Sequence, residues 1–571
     1  MKSSFLPRSR ILLFFLLVFA IVLLAKLFLI QIVHSNFYTE AAERQYATPS
    51  GNIFERGTIY FTRKDGQLVS AATQTTGFKV AIDPTKITDA EAVFQKLSAK
   101  ITLNHEDFSL KAARAGDPYE EIAFHLSQAQ ADSISALKIP GVSIFKEKWR
   151  LYPGENLAAH TLGLVGYKGD ELAGRYGLEK EYNSVLATGN QNPYVNFFAE
   201  VFSNINHTFF EDEGKTGDIV TTIEPAIEDF LEKKLAQVKE KYQVDSVGGI
   251  IMNPADGSIY ALAALPDFNP NDFSKVKQIT ILNNPLVENV LEFGSVVKPL
   301  VMAAALDAGV VTAKTTYNDN GSVIVENKEI FNFDKEGRGP GTSMQEVLSQ
   351  SLNTGMVFVY KKLGKERLRE YFLSYGIDKK TGVDLPNETG GLVSNILKSP
   401  RDIEYANASF GQGIALTPMA MIRALASLGN GGNLVVPHVV KKIKYDDGME
   451  KEMTYPTSRV KISEATGEEI TRMLVEVMDK ALKGGATKME HYSVAVKTGT
   501  AQVANRESGG YYEDRHTHSF FGYFPAYDPK FVVLLYAVNP KGIRYASETW
   551  ADPFIDITKF LLNYYQVPPD R

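Results

Sequence analysis

From Ile11 to Val33 the chain reads ILLFFLLVFAIVLLAKLFLIQIV, long enough as a helix to cross a hydrocarbon core of roughly 30 Å. Its one charge, Lys26, falls near the far end, where a long side chain can reach the interface. Lys2, Arg8 and Arg10 precede the run, so the positive-inside rule places residues 1–10 in the cytoplasm. A cleaved signal peptide would have a shorter apolar region and then a small-residue cleavage site, whereas His34-Ser35-Asn36-Phe37 follows here. The segment reads as an uncleaved, single-pass anchor in the cytoplasmic (inner) membrane. The rest of the chain is then extracytoplasmic, beyond the reach of ATP and NADH, so its chemistry must be driven by its own substrates.

The 571 residues are too many for one hydrophobic core. Basic residues number 61 against 67 acidic, a formal charge of -6, which leaves no basic field to hold nucleic acid. The absence of cysteine excludes disulfides, thiolate catalysis and Cys-ligated metals. No cofactor or metal is called for.

Residues 34–215 are polar and mixed, with short elements and no long apolar run. The texture changes at Thr222-Ile223-Glu224-Pro225. Pro225 can open a helix, and Ile227, Phe230, Leu231, Leu235 and Val238 then recur at helical spacing. A hairpin follows, with Gly249–Met252 and Ile259–Leu265 flanking Asn253-Pro254-Ala255-Asp256-Gly257. A second hairpin, Ser519–Phe524 and Phe531–Val538, closes the chain, with helical patterns such as Pro299–Ala308 and Pro418–Leu428 between the two. Strands at both ends with helices between give an α+β domain whose terminal hairpins share one antiparallel sheet.

Acyl transfer needs a nucleophile, a base and donors for the oxyanion. There is no G-x-S-x-G elbow, so a Ser-His-Asp triad has little support. A Ser with Lys three residues on, at the start of a helix, puts hydroxyl and amine on one face, and burial would lower the lysine pKa into the range of a base. S-x-x-K alone is weak: it starts at Ser135, Ser143, Ser274, Ser295 and Ser458. S-x-N occurs at Ser50 and Ser351, and K-T-G at Lys215, Lys380 and Lys497. Context selects among them. Ser295 and Lys298 precede an apolar, Ala-rich helix, with Pro299 in its first turn, so Ser295 sits at a helix N-terminus. Lys497-Thr498-Gly499-Thr500 follows Ser493-Val494-Ala495-Val496, an alternating strand, and Ser351-Leu352-Asn353 lies between the two motifs. Lys380 falls in a polar turn, Ser274 in a charged loop.

These three motifs, in this order and at these separations, resemble those of the penicillin-recognising serine acyltransferases. Arg56-Gly57-Thr58-Ile59, Arg150-Leu151-Tyr152-Pro153, Ala159-His160, Gly163, and Tyr176-Gly177-Leu178-Glu179 through Tyr182 are similar to pedestal signatures of the class B penicillin-binding proteins. Met252 to Gly257, Phe410-Gly411-Gln412-Gly413 with Thr417-Pro418, and Asn430-Gly431-Gly432 also match. The resemblance implies a serine β-lactamase-like transpeptidase domain at residues 216–571, an antiparallel sheet with helices on both faces. An elongated α+β pedestal of the dimerisation type at 34–215 and the anchor at 11–33 would precede it.

It also implies roles. Ser295 would be the acylated nucleophile and Lys298 its base. Ser351 would relay a proton to the leaving amine, and Asn353 would hold the acyl chain's amide. Lys497 would add positive potential, and Thr498 and Thr500 would bind the substrate carboxylate beside Gly499. Backbone N–H groups of Ser295 and Thr500 would form the oxyanion hole. The activity implied is peptidoglycan D,D-transpeptidation, in septal or side-wall synthesis, inhibited by β-lactams. Its partners would be a lipid-linked peptidoglycan precursor, nascent stem peptides and a membrane glycosyltransferase of the SEDS type. Three positions depart from the family pattern: Phe293 replaces Pro, Val496 replaces Gly and could narrow the site, and Tyr60-Phe61-Thr62-Arg63-Lys64-Asp65-Gly66 replaces a shorter turn.

Arg56 and Glu179 read as structural residues that pair with each other or with backbone. His516 and His518 lack a third ligand at metal-binding spacing. Asn206, Asn387 and Asn407 fit a glycosylation pattern without meaning in a bacterial chain. Two other functions stay open, a β-lactamase or β-lactam sensor of the same superfamily and a non-catalytic scaffold. Against them stand the anchor with its pedestal, the single span, and the intact set of motifs.

Overall fold

The computed structural model describes residues 55–114, 116–168, 171–188, 215–505 and 509–571, together with Phe19, Leu23 and Lys26. The proposed anchor at 11–33 otherwise lies outside the described residues, and no described helix is long and apolar enough to cross a membrane. The chain divides into two compact units: residues 1–55 with 75–149, and residues 56–74 with 150–571.

In the first unit the helices Ala90–Ser98, His105–Ala112 and Gln128–Ser135 cover antiparallel strands from Thr75–Ile82 and Glu120–Leu126. Val80, Ile82, Leu97, Phe108, Ile122 and Ile134 form its core.

The second unit is built on a five-stranded antiparallel sheet made of β1 (Ser246–Met252), β2 (Ile259–Leu265), β3 (Ala495–Ala504), β4 (Tyr511–Phe524) and β5 (Phe531–Val538). Their order is β2-β1-β5-β4-β3, so the first hairpin and the last share one sheet. Gly248 pairs with Tyr536 and Ile250 with Leu534. Six helices matter here: α1 (Pro225–Tyr242), α2 (Lys298–Asp307), α3 (Asn353–Leu363), α4 (Pro418–Ala426), α5 (Glu464–Glu476) and α6 (Ala546–Tyr564). Helix α1 begins at Pro225 because Glu224 caps it, accepting from Ile227 N, and its Ile227, Leu231, Leu235 and Val238 are buried.

The pleat of β4 separates the two helical layers. Phe520 stacks on Phe554 of α6, and a side chain at Gly522 would collide with the same ring. On the other face the Tyr523 hydroxyl meets Thr471 of α5 at 2.7 Å. Val496 pairs directly with Gly522 and is fully buried, so it fills core beneath α6 rather than narrowing the cleft. Phe293 is likewise a core residue.

Near the second unit's N-terminal part, Ile59–Thr62 runs parallel to Gly217–Thr221, which Val440–Tyr445 joins on its other edge. Here Glu179 is fully buried between two guanidinium groups, accepting from Arg56 Nε at 2.5 Å and Arg150 Nε at 2.6 Å. Three further donors bind locally, Arg56 Nη2 to Glu179 O at 2.7 Å, Arg56 Nη1 to Asn183 Oδ1 at 2.9 Å, and Arg150 Nη1 to Gly57 O at 2.7 Å, while Arg150 Nη2 is buried without a hydrogen-bond partner among the described residues. Burial opposes ionisation of Glu179, but the two cations outweigh it and hold its carboxyl below the ordinary glutamate value.

Candidate active site

Ser295 lies in a tight turn, Gly294–Val297, that leads directly into α2, and Lys298 opens that helix one turn later. Pro299 falls in the first helical turn, where its missing N–H costs nothing. Two close approaches shape this turn. A side chain at Gly411 would lie 2.0 Å from the Gly294 carbonyl, and one at Gly499 would lie 2.3 Å from that of Phe293. Only glycine lets the 411 loop and strand β3 pack this tightly against the Ser295 turn.

Lys298 is wholly buried. Its Nζ donates to Ser351 O at 2.6 Å and Asn353 Oδ1 at 2.8 Å, and lies 3.3 Å from Ser351 Oγ. Burial, and then the neighbouring charge of Lys497, push its pKa well below the ordinary 10.5. A neutral amine has two N–H bonds, and the two carbonyl oxygens occupy both. The lone pair is left for a hydroxyl proton.

Lys497, on β3, donates to Ser351 Oγ at 3.0 Å and to Thr498 O at 3.1 Å. It is as buried as Lys298, and burial brings it from 10.5 to about 7. Ser351 itself adopts φ 57°, a left-handed backbone that side-chain-bearing residues rarely take, and the turn aims its hydroxyl between the two amines. Lys298, Ser351, Asn353 and Lys497 thus converge, with Ser295 on the turn above. Thr498 and Thr500 stand apart from this cluster on the next positions of β3, where Thr500 Oγ1 accepts from Ala546 N at the start of α6 at 3.2 Å.

Among the described residues the competing motifs do not assemble; Ser50 lies outside them. Ser274 donates to Asp272 at 3.2 Å in a surface turn, and Lys215 lies 3.7 Å from Asp447. His518 is buried, its Nδ1 2.9 Å from Thr549 Oγ1, and burial lowers it to about 4. Two residues near the site carried no motif. Ser519 Oγ donates to the Phe293 carbonyl at 2.8 Å and so pins the segment entering the Ser295 turn. Glu292, pushed up to about 7 by burial, accepts from Tyr511 OH at 3.0 Å. Both lie in segments whose apolar pattern advertises packing alone.

With this geometry in view, similarity to known proteins becomes informative. The family model for the penicillin binding protein transpeptidase domain matches residues 247–558, and that for the penicillin-binding protein dimerisation domain matches residues 54–221. Stage V sporulation protein D of Bacillus subtilis is 28% identical over 567 residues, covering 97% of this chain and 85% of that protein. Peptidoglycan D,D-transpeptidase FtsI of Buchnera aphidicola is 25% identical, covering 97% of this chain and 94% of that protein. The fold is shared with penicillin binding protein 3 of Mycobacterium tuberculosis in complex with aztreonam, at a TM-score of 0.68 and 22% identity over 91% of this chain and 98% of that one. More than half of the sequence thus answers to one family description, and the chain belongs to the penicillin-binding protein transpeptidases, with a dimerisation domain preceding the catalytic one.

Proposed function

We propose that the chain is a peptidoglycan D,D-transpeptidase, anchored by residues 11–33, with a pedestal at 34–215 and a catalytic domain at 216–571 outside the cytoplasm. The observation that carries the reading is the buried Lys298 amine, held beside Ser351 and Asn353 and with its pKa lowered well below the ordinary 10.5 by burial. The relatives named for D,D-transpeptidation support it.

Ser295 Oγ attacks the penultimate D-Ala carbonyl and its proton passes to Lys298. The oxyanion is met by the N–H groups of Ser295 and Thr500. Collapse expels D-Ala, whose amine takes the proton back through Ser351 Oγ. A neighbouring stem-peptide amine then attacks the ester, again giving its proton to Lys298, and Ser295 is restored. One amide bond is broken and one made, so no external energy is needed. Both ends of the Asn353 amide are engaged internally, its Nδ2 donating to Phe331 O at 2.9 Å and its Oδ1 accepting from Lys298 Nζ, which leaves the second Nδ2 N–H and the second lone pair of Oδ1 for the acyl chain's amide. Lys497 with Thr498 and Thr500 faces the substrate carboxylate. A membrane glycosyltransferase of the SEDS type is the partner that would supply nascent glycan.

Treating spheroplasts with a membrane-impermeant fluorescent penicillin tests the site and its placement together. One adduct is expected, in the membrane fraction, on the peptide containing Ser295. Labelling that requires lysis, or an adduct on Ser274 or Ser458, would overturn the reading.

The depressed Lys497 predicts a pH dependence. Above about 7 the free enzyme loses the positive charge that meets the substrate carboxylate. Acylation kcat/KM for an anionic substrate should therefore fall on the alkaline side from near that pH. Lys497→Arg, which keeps its charge, should remain measurably active and lose this limb. A limb that persists in Lys497→Arg belongs to another group.

A further inference from the structure

Residues 316–343 form two small hairpins beside the cleft: Thr316–Asp319 pairs with Gly339–Ser343, and Ser322–Val325 with Lys328–Phe331. This insert grips the Ser351 turn at three successive points. Arg338 Nε donates to Gln350 Oε1 at 2.9 Å, immediately before Ser351. The Phe331 carbonyl accepts from Asn353 Nδ2 at 2.9 Å. Asn332 Oδ1 accepts from Thr354 N at 3.2 Å.

Behind these contacts lies one buried carboxylate, Asp319, 1% exposed. It accepts from Thr354 Oγ1 at 2.7 Å, Asn332 Nδ2 at 3.0 Å, Gly321 N at 3.1 Å and Arg338 N at 3.1 Å. The titratable and charged groups around it are Tyr317, whose hydroxyl is 2.9 Å from Thr354 Oγ1, and Arg338. Asp319 orients the Asn332 amide, which fixes Phe331 beside it in the chain. The Phe331 carbonyl in turn can accept only the NH2 end of Asn353, so Asn353 Oδ1 must face Lys298 Nζ. A left-handed residue such as Ser351 persists only where its neighbours over-determine it, and this network does so.

We propose that Asp319 is a positioning residue for acyl transfer: through Asn332, Phe331 and Thr354 it sets the polarity of the Asn353 amide and the course of the Ser351 turn, and thereby the environment of Lys298. This deepens the transpeptidase reading and rests on it.

The test uses the full-length protein in detergent, with fluorescent penicillin as probe. Stoichiometry counts folded sites, and the acylation rate per labelled site is followed against pH. Asp319→Asn is expected to acylate about 10²-fold more slowly per site, the scale of a small misplacement of reacting groups. Lys298 is faced by Ser351, by Asn353 and, across from β3, by Lys497. Once the Asn353 amide is free to turn, the ammonium form of Lys298 loses an acceptor, so the acid limb should move to lower pH. Thr354→Val, which keeps the side chain's shape and removes one bond to Asp319, should shift the limb the same way with a smaller loss of rate. Variants that merely fold poorly would show fewer labelled sites, with rate per site and acid limb unchanged. That result in both variants, or wild-type behaviour in Asp319→Asn, overturns the proposal. Failure of the wild type to label at Ser295 would instead remove the transpeptidase reading beneath it.

Discussion

Lys298→Ala will acylate about 10²–10⁴-fold more slowly than the wild type, the span of a positioned general base. Stopped-flow measurement with a chromogenic β-lactam reads this directly. The expectation follows from the buried amine, whose pKa burial lowers well below 10.5 and whose Nζ donates to Ser351 O and Asn353 Oδ1. Lys298→Arg must fail to a similar extent, because a guanidinium keeps its proton and its planar fork cannot fit the pocket of an amine. Wild-type rates in Lys298→Arg would show that a different group takes the Ser295 proton.

The second large effect is on stability. Glu179→Gln will leave the Arg56 and Arg150 charges buried together without their counter-ion, at a cost of about 3–5 kcal/mol. Urea unfolding at neutral pH measures it, provided the transition is cooperative. The pH dependence carries a definite sign. The folded carboxyl releases its proton more readily than the unfolded one at 4.5, so its stabilisation is complete above that value. It is lost as pH falls through the lower folded value, and the gap between wild type and variant should narrow in acid. A variant within about 0.5 kcal/mol of the wild type, the range of an ordinary surface change, would mean that the cluster contributes little.

The elements that were legible in the sequence are those whose pattern is local. Short, continuous apolar runs in Ile259–Leu265 and Phe531–Val538, bounded by turn residues, read as strands buried on both faces, and Pro225 marked a helix start that its cap confirms. The convergence of Lys298, Ser351, Asn353 and Lys497 was legible because three short motifs place them on a helix start, a turn and a strand. Asp319 and Asn332 gave no signal, since a polar residue in a hairpin looks the same whether it faces solvent or organises a buried network. Nor does any local pattern tell Val440–Tyr445 to seek Gly217–Thr221 across the chain. Val496 was misread as a residue of the cleft wall because the direction of its side chain depends on its pairing with Gly522.

The sheet is closed from both ends of its sequence: Gly248 on an early strand pairs with Tyr536 on nearly the last one. A polypeptide emerging across a membrane meets its N-terminal half first, so β1 and β2 must wait as an unsatisfied hairpin until β5 arrives. The turn bearing Ser295 and the strand bearing Lys497 come into register only then. On the transpeptidase reading proposed above, a chain whose last strands have yet to emerge cannot present Ser295 beside Lys497, and so offers neither cell-wall precursor nor β-lactam a competent nucleophile.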